Sequence, residues 1–459
     1  MGLNEAPRGV RVHLALFGRR NAGKSSVINA LTGQETAIVS EVQGTTTDPV
    51  FKAMEILPIG PCVIIDTAGI DDVGELGEAR KKKTLEVLDL ADVALIIIDI
   101  NVGLTEDERL FINKVKSKKK PLLVVLNKID TFANNTFENN MIKNNTPEKT
   151  INKNKNENAN ENTKKKINKN INNQNQNQNK NNNYEIIVSS LQKDLNIPVV
   201  AVSALKKHGI NKLMDAIISV IPAEENKDKI VGDLIKRGDF VVLVTPLDNA
   251  APRGRLILPQ QQTIREILES DAVAIVTKEY ELGETLSNLV KKPKLVITDS
   301  QVFAQVASAT PQDILLTSFS ILFARQKGDL AEFIKGAKAI ETLKDGDIVL
   351  IAEGCTHHRQ SDDLGSVKIP RWIRQRTGKQ IGFAFSSGAS FTEDIKQYAL
   401  IVHCGACMLN RSAMRSRIER AKDYQVPIVN YGILIAYMQG ILPRALAPFS
   451  PAGVILEED

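Results

Sequence analysis

The sequence predicts an α/β protein built from three α/β domains, the first with a parallel-dominated sheet. Three observations carry that expectation. At 459 residues, with 42% hydrophobic and 25% charged, the chain is too long for one ordinary domain and suggests about three. Short apolar runs, each ending at a polar or Gly-rich motif, alternate with helical stretches, and the alternation starts afresh twice. A single tract dominated by Asn and Lys breaks it.

In the first unit, residues 1–226, strands are expected at 11–17, 63–66, 93–99 and 122–127. Each leads into a polar motif at its C-terminal end, where open parallel sheets place their ligands. From 131 to 184 the chain turns to Asn and Lys and ends in NINNQNQNQNKNNN. So little apolar surface cannot offset the ordering entropy, and this insertion is expected to be disordered. The pattern resumes with a strand at 197–203. The second unit, 227–329, has strands at 240–245, 272–277 and 294–299 with helices at 263–269 and 281–290. It holds no Cys, no His and no phosphate loop, so packing and self-association are its expected work. The third unit, 330–459, has strands at 348–352, 382–385, 399–403 and 428–430 and an Arg-rich helix over 410–424.

The formal net charge is +5, from 59 Lys and Arg against 54 Asp and Glu. Residues 134–183 hold nine Lys and four Glu and no Arg or Asp, so the whole excess lies in the insertion. The folded part is neutral, which speaks against a nucleic-acid-binding face. The strongest basic cluster, Lys-Ile-Pro-Arg-Trp-Ile-Arg-Gln-Arg over 368–376 around Trp372, reads either as a docking patch for an acidic partner or as a solvated helix face. Four cysteines make no disulfide framework. No apolar stretch reaches the roughly 18 residues of a membrane span, and the N-terminus shows no signal stretch. The expectation is a soluble cytoplasmic protein with no membrane or nucleic-acid partner.

Gly18-Arg19-Arg20-Asn21-Ala22-Gly23-Lys24-Ser25, followed by Ser26, fits a phosphate-binding loop between a strand and a helix. Its amides would wrap phosphates at a helix N-terminus. Lys24 would supply positive charge to the β- and γ-phosphates, and the Ser25 hydroxyl would ligate Mg²⁺. Asp66-Thr67-Ala68-Gly69 stands where a carboxylate holds Mg²⁺ and the Gly69 amide meets the γ-phosphate. Asn127-Lys128-Ile129-Asp130 offers, at Asp130, a carboxylate that accepts two hydrogen bonds from guanine. Adenine cannot donate these, and each acceptor left unpaired costs roughly 1–3 kcal/mol. Ser203-Ala204-Leu205 follows the next strand and is expected to return to the base.

This ordered set resembles the TRAFAC-class GTPases, specifically the tRNA-modification and ribosome-assembly group. The resemblance implies a P-loop GTPase fold and puts a Mg²⁺ contact on Thr46, within Gly44-Thr45-Thr46-Thr47-Asp48. Ile70 stands where Ras-like proteins carry a water-orienting Gln, and isoleucine cannot hydrogen-bond water. Asn21 matches the asparagine with which related potassium-dependent GTPases ligate K⁺, so hydrolysis is expected to be K⁺-stimulated.

Three of the four cysteines and three of the five histidines lie in two short segments, Cys355-Thr356-His357-His358 and His403-Cys404-Gly405-Ala406-Cys407. Thiolate and imidazole are the ligands of iron–sulfur clusters and of zinc. Cys404 and Cys407 are spaced to chelate one centre, and Cys407 stands just before a helix whose dipole would favour an anion. With Cys355 they make three thiolates, one short of the usual four. His357, His358, His403 or an exchangeable ligand could complete the set, and spacing alone does not separate iron–sulfur from zinc. Cys62, His13 and His208 read as ordinary structural residues.

Together with the middle stretch PLDNAAPRGRLILPQQQTIREIL, these segments resemble the HydF family of [FeFe]-hydrogenase H-cluster maturation GTPases. The resemblance spans nearly the whole chain outside the insertion. It implies a dimerisation domain at 227–329, hence a homodimer, and an iron–sulfur cluster-binding domain at 330–459. A [4Fe–4S] cluster would sit on Cys355, Cys404 and Cys407. The protein would hold a transient diiron precursor, supplied by radical-SAM maturases and delivered to apo [FeFe]-hydrogenase. The alternatives are an RNA-modification or ribosome-associated GTPase with a structural zinc site, and a redox-sensing switch.

Overall fold

The structure is a computed structural model that describes residues 8–33, 40–42, 49–70, 75–132, 172–221, 229–246, 256–354, 363–388, 391 and 394–449. The chain divides into two compact units, one of Val12–Pro222 and one of Met1–Arg11 with Ala223–Asp459.

The unit Val12–Pro222 is organised on β1 (Val12–Phe17), α1 (Lys24–Thr32), β2 (Ser40–Val42), β3 (Val50–Ile56), β4 (Gly60–Asp66), α2 (Glu75–Leu90), β5 (Val93–Asp99), α3 (Glu106–Ser117), β6 (Leu122–Asn127), α4 (Asn172–Leu195), β7 (Val199–Ala201) and α5 (Ile210–Val220). Its seven-stranded sheet runs β2-β3-β4-β1-β5-β6-β7. Strands β4, β1, β5, β6 and β7 are mutually parallel, whereas β2 and β3 add an antiparallel edge. Alternate residues of each central strand enter opposite cores. Leu14, Leu16, Ile64, Leu95 and Ile97 face one side, and Ala15, Phe17, Val63, Ile65 and Ile96 face the other. Both faces are covered, as a parallel sheet requires.

Of the tract expected to be disordered, 133–171 lies outside the described residues. Helix α4 (Asn172–Leu195) starts within the tract and ends beyond it. The second half carries the packing, with Ile187, Val188, Leu191 and Leu195 against the core. Once those residues are fixed, extending the helix N-terminally adds one hydrogen bond per residue without a new nucleus. Helix α3 is fixed at its start by a capping box between Thr105 and Glu108.

The other unit holds two four-stranded parallel sheets. The first has β8 (Phe240–Val244), α6 (Leu258–Glu269), β9 (Val273–Thr277), α7 (Leu282–Asn288), β10 (Leu295–Thr298), α8 (Phe303–Ala309), β11 (Leu315–Ser318) and α9 (Phe319–Lys327), with strand order β11-β10-β8-β9. Edge strand β9 leaves Val273 and Val276 41% and 47% exposed, an unpaired apolar edge of the kind that takes another strand. The second comprises α10 (Leu330–Lys338), β12 (Ile348–Glu353), α11 (Ile369–Thr377), β13 (Gly382–Ser387), β14 (Leu400–His403), α12 (Arg411–Asp423), β15 (Ile428–Asn430), α13 (Tyr431–Met438) and α14 (Leu442–Leu446), with order β13-β12-β14-β15. The sequence places a domain break near 329, yet both sheets belong to one compact unit. Ser320 of α9 links them, bonding Asn430 Oδ1 at 2.9 Å and accepting from the Gly432 amide at 3.2 Å.

Candidate functional sites

The phosphate loop leaves β1 at Gly18 and enters α1 at Lys24. Gly23 has φ of 95°, and a Cβ there would sit 2.2 Å from Asn127 Nδ2, so only glycine fits both backbone and neighbour. Buried Asn127 is the hub. Its Nδ2 donates to the Ala22 carbonyl at 3.0 Å, and its Oδ1 accepts from the Ala204 amide at 3.1 Å. One side chain thereby ties together the three segments that the sequence marked separately. Lys24 is buried and donates to the carbonyls of Gly18 and Arg19 at 3.0 and 2.9 Å. Asn21, exposed, has φ of 59°. Ser26 is exposed on the first turn of α1.

Ser25 Oγ donates to Asp66 Oδ2 at 2.7 Å. The other oxygen of that carboxylate, Oδ1, is buried and has no hydrogen-bond partner among the described residues. A hydroxyl paired with a carboxylate that keeps a spare lone pair is the hard-oxygen donor set that fits Mg²⁺. Thr67 anchors the next turn through the Leu16 carbonyl at 2.6 Å. Gly69 is buried, and the Ile70 amide bonds the Gly18 carbonyl at 3.3 Å. Thr46 lies outside the described residues.

At the base-recognition end, Ser203 Oγ donates to Asp130 Oδ1 at 2.6 Å and accepts from the Lys206 amide at 3.1 Å. The Asp130 carboxylate is therefore oriented by the Ser203-Ala204 turn. Lys128, with φ of 68°, pairs with Asp99 at 2.7 Å. Burial pushes the Asp99 carboxyl up, but hydrogen bonds from Lys128 and Asn101 outweigh it and hold the group below its ordinary range. Sequence reasoning missed Asp99, which sits at the C-terminal end of β5 without a motif of its own.

The cysteine segments stand at the ends of neighbouring strands. β12 and β14 pair in parallel with Ala352 beside His403, and the Cys404 amide bonds the Ala352 carbonyl at 2.9 Å. The Gly354 amide points to Cys404 Sγ at 3.1 Å and the Ala406 amide at 3.4 Å. Ala406 has φ of 53°, which turns the loop tightly between the two cysteines. Burial pushes the Cys404 thiol up to about 11 despite those amides. Cys355, Thr356, His357 and His358 lie outside the described residues. Among the described residues no group of three or more His, Cys, Asp or Glu converges as a metal site.

Two sequence expectations change here. His403 was a candidate fourth ligand, yet both its ring nitrogens are taken. Arg417, which can only donate, meets Nε2 at 2.8 Å, so the proton is on Nδ1, which donates to the Cys404 carbonyl at 2.8 Å. Burial and then the Arg417 charge push this imidazole down to about 3. His403 is a neutral strut beside the loop and has no lone pair to give a metal. The helix begins at Arg411, capped by Asn410, within a residue of its expected start at 410, which leaves Cys407 four residues ahead of the helix rather than against its first turn.

A residue that the sequence did not mark lies below the loop. Lys327, the last residue of α9, is 5% exposed and donates to the carbonyls of Ala406, Cys407 and Leu409 at 3.0, 3.0 and 2.8 Å. The basic stretch 368–376 is partly structural, since Arg374 stacks on Phe383 at 4.9 Å and donates to the Ile381 carbonyl, while Arg376 pairs with Glu341.

Residues 13–128 match the 50S ribosome-binding GTPase family. Residues 230–328 match the hydrogen maturase F dimerization domain and 331–448 the hydrogen maturase F tetramerization domain. Those last two, in this order behind a GTPase domain, decide the assignment. The chain belongs to the hydrogen maturase F family. Membership brings GTP and Mg²⁺ with the GTPase domain and oligomer formation with the other two. The family's tetramerization domain coincides with the region that carries the cysteine loop.

Curated relatives match the GTPase part alone. The tRNA modification GTPase MnmE of Moorella thermoacetica is 37% identical over 124 residues, 26% of either chain. GTPase Der of Mycoplasmopsis pulmonis is 40% identical over 134 residues, 28% of this chain and 30% of the relative. This chain thus spans less than a third of the length of these relatives. Among solved structures, the G domain of the T. maritima FeoB iron transporter has 20% identity and a TM-score of 0.28, covering 46% of this chain and 99% of that one. Aquifex aeolicus Era bound to GDP and AlF4⁻ has 20% identity and a TM-score of 0.30, covering 57% and 91%. No helix among the described residues is long and apolar enough to cross a membrane.

Proposed function

We propose that this protein is a GTP-hydrolysing scaffold that binds a [4Fe–4S] cluster and assembles or delivers the diiron H-cluster precursor to apo [FeFe]-hydrogenase. The observation that carries the reading is Cys404, half-buried at a strand end with two backbone amides aimed at its sulfur. A thiol with so high a pKa stays protonated on its own. Amide donors around it favour the sulfur once a metal has displaced the proton. Cys404 and Cys407, with Cys355 following Gly354, would hold the cluster, and the donor set fits soft iron chemistry. When bound, the cluster supplies an iron site with fewer protein thiolates than irons, suited to holding a cargo that must leave. The diiron species would be that cargo, brought by radical-SAM maturases.

In the GTPase domain, Lys24 would neutralise the β- and γ-phosphates, Ser25, Thr46 and Asp66 would hold Mg²⁺, and the Gly69 amide would meet the γ-phosphate. Asp130, oriented by Ser203, would read guanine. Asn21 would ligate K⁺, whose charge beside the phosphates replaces the water-orienting group that Ile70 lacks. Equal GTPase rates in KCl and NaCl at matched ionic strength would remove the potassium role. The switch would gate partner contact or cargo transfer through loops that order around the γ-phosphate.

The decisive experiment is anaerobic iron–sulfur reconstitution followed by EPR of the reduced protein. A [4Fe–4S] signal is expected. Stoichiometric zinc without that signal, in protein purified without air, would sink the maturation reading and favour the RNA-modification or ribosome-associated alternative.

A further inference from the structure

The loop Cys404–Leu409 is held from below by cations that no cysteine motif includes. An ammonium has three N–H donors and no acceptor, and all three of Lys327's are used on carbonyls of one loop, those of Ala406, Cys407 and Leu409. The Cys404 carbonyl is taken by His403, itself held by Arg417, which is 4% exposed and also donates to the Gly388 carbonyl at 2.8 Å. Four carbonyls of the loop therefore turn inward toward buried donors. The consequence is geometric, because carbonyls drawn to one side leave the amides of the same peptides for the other. Between two of those held peptides, the amide of the Gly405–Ala406 peptide points at the Cys404 sulfur.

Burying an ammonium is costly unless it is fully hydrogen-bonded and near negative charge. Lys327 has the hydrogen bonds, and its ammonium also lies 5.3 Å from the Phe323 ring centroid. Burial pushes it down to about 8, against the attraction of Cys407 and Cys404. Among the described residues no carboxylate pairs with it. The nearby groups that become negative are the cysteine sulfurs themselves.

We infer that Lys327 is the positioning residue of the cysteine loop: it sets the loop's shape through three carbonyls and supplies a fixed positive charge to the anionic cluster on Cys404 and Cys407. This rests on the cluster reading above for its charge role, whereas the shaping role does not. The inference explains why a lysine, and not an apolar residue, is buried at the end of α9, whose other buried residues are all apolar. It also replaces the helix dipole that the sequence had suggested, since a whole charge at the loop's base is stronger than a helix end several residues away.

The test uses the full chain, with Lys327→Met, which removes charge and donors, and Lys327→Gln, which removes charge but keeps two donors. The first readout is amide hydrogen exchange of residues 404–409 in the metal-free protein. Exchange in Lys327→Met should rise on the order of tenfold or more, as expected for losing at least one buried hydrogen bond, and less in Lys327→Gln. Wild-type exchange in Lys327→Met would overturn the shaping role. The second readout is the midpoint potential of the reconstituted cluster, followed by EPR. Both variants should move it to a more negative value, because the more negative, reduced cluster loses a compensating charge. An unmoved potential in both would overturn the charge role.

A wild-type circular dichroism spectrum and an unchanged oligomeric state serve as the folding control for each variant. If neither variant folds, acylation of native wild-type protein decides, since Lys327 should react far more slowly than exposed lysines and equal reactivity would overturn the inference. A wild-type protein that takes up no cluster would sink the cluster reading, yet the exchange result would still stand or fall by itself.

Discussion

The nucleotide site and the cysteine loop both stand at the ends of parallel strands, yet they are held in shape by opposite means. At the nucleotide site the supports belong to the motifs themselves. Asn127 joins the phosphate loop to the Ser203-Ala204 turn, and Ser203 orients Asp130. Every link is a neutral or locally paired hydrogen bond between segments that already carry a signature. At the cysteine loop the supports are buried cations from elsewhere, Lys327 from α9 and Arg417 from α12 through His403. The first design is visible in sequence and tolerates transfer between proteins. The second depends on the packing of one particular unit.

The largest expected effects test whether the two sites are separately built. Lys24→Ala should lower GTP hydrolysis by about 10²–10³-fold, the usual size for removing one charge-stabilising donor, and leave iron content after reconstitution at the wild-type level. Cys404→Ala should do the reverse, with iron falling to background and hydrolysis kept. Loss of both properties in either variant would show that the sites share their support, and the comparison would fail.

Next in size, Asp130→Asn should weaken GTP binding by roughly two powers of ten, from two mispaired hydrogen bonds at about 1–3 kcal/mol each. ADP and GDP affinities should approach each other, as measured by calorimetry. Retained guanine preference would move base recognition away from Asp130. Asn127→Ala should cost about 1–3 kcal/mol of stability, because the Ala204 amide loses its acceptor in a buried place. It should weaken nucleotide binding through the loosened loop. A thermal melt matching wild type would mean that the hub is dispensable.

Much of the fold was legible because parallel strands buried on both faces read as apolar runs. β5 and β6 have the predicted limits, and β8, β10, β12 and β14 fall within a residue or so of theirs. The strands not anticipated were those whose surroundings blur the run. β3 carries Lys52 and Glu55 on the antiparallel side of the sheet, and β11 is four residues leading directly into an apolar helix. Nucleotide-site residues were legible because fixed spacings encode them. Lys327 was not, because it lies some eighty residues from the loop it serves, at the end of a helix whose own pattern gives no hint. His403 misled for a related reason, since a histidine beside a cysteine suggests a ligand until Arg417 is seen on its other nitrogen.

The smallest expected effect sharpens the comparison at its weakest link, an ion pair at the nucleotide site. Lys128 and Asp99 meet at 2.7 Å with side chains 34% and 18% exposed. Solvent screens such a pair, so Asp99→Asn should cost roughly 1 kcal/mol or less. The sign follows from the carboxyl being held below its ordinary value of 3.8. The folded protein binds that proton less readily than the unfolded chain, so the stabilisation is fully present above pH 3.8 and disappears as pH falls through the lower folded value. Melts of nucleotide-free wild type and Asp99→Asn should therefore differ by a constant small amount from neutral pH down to about pH 5 and converge in stronger acid. A gap that persists unchanged into strong acid would mean that Asp99 acts through its hydrogen bonds to Asn101 rather than through its charge.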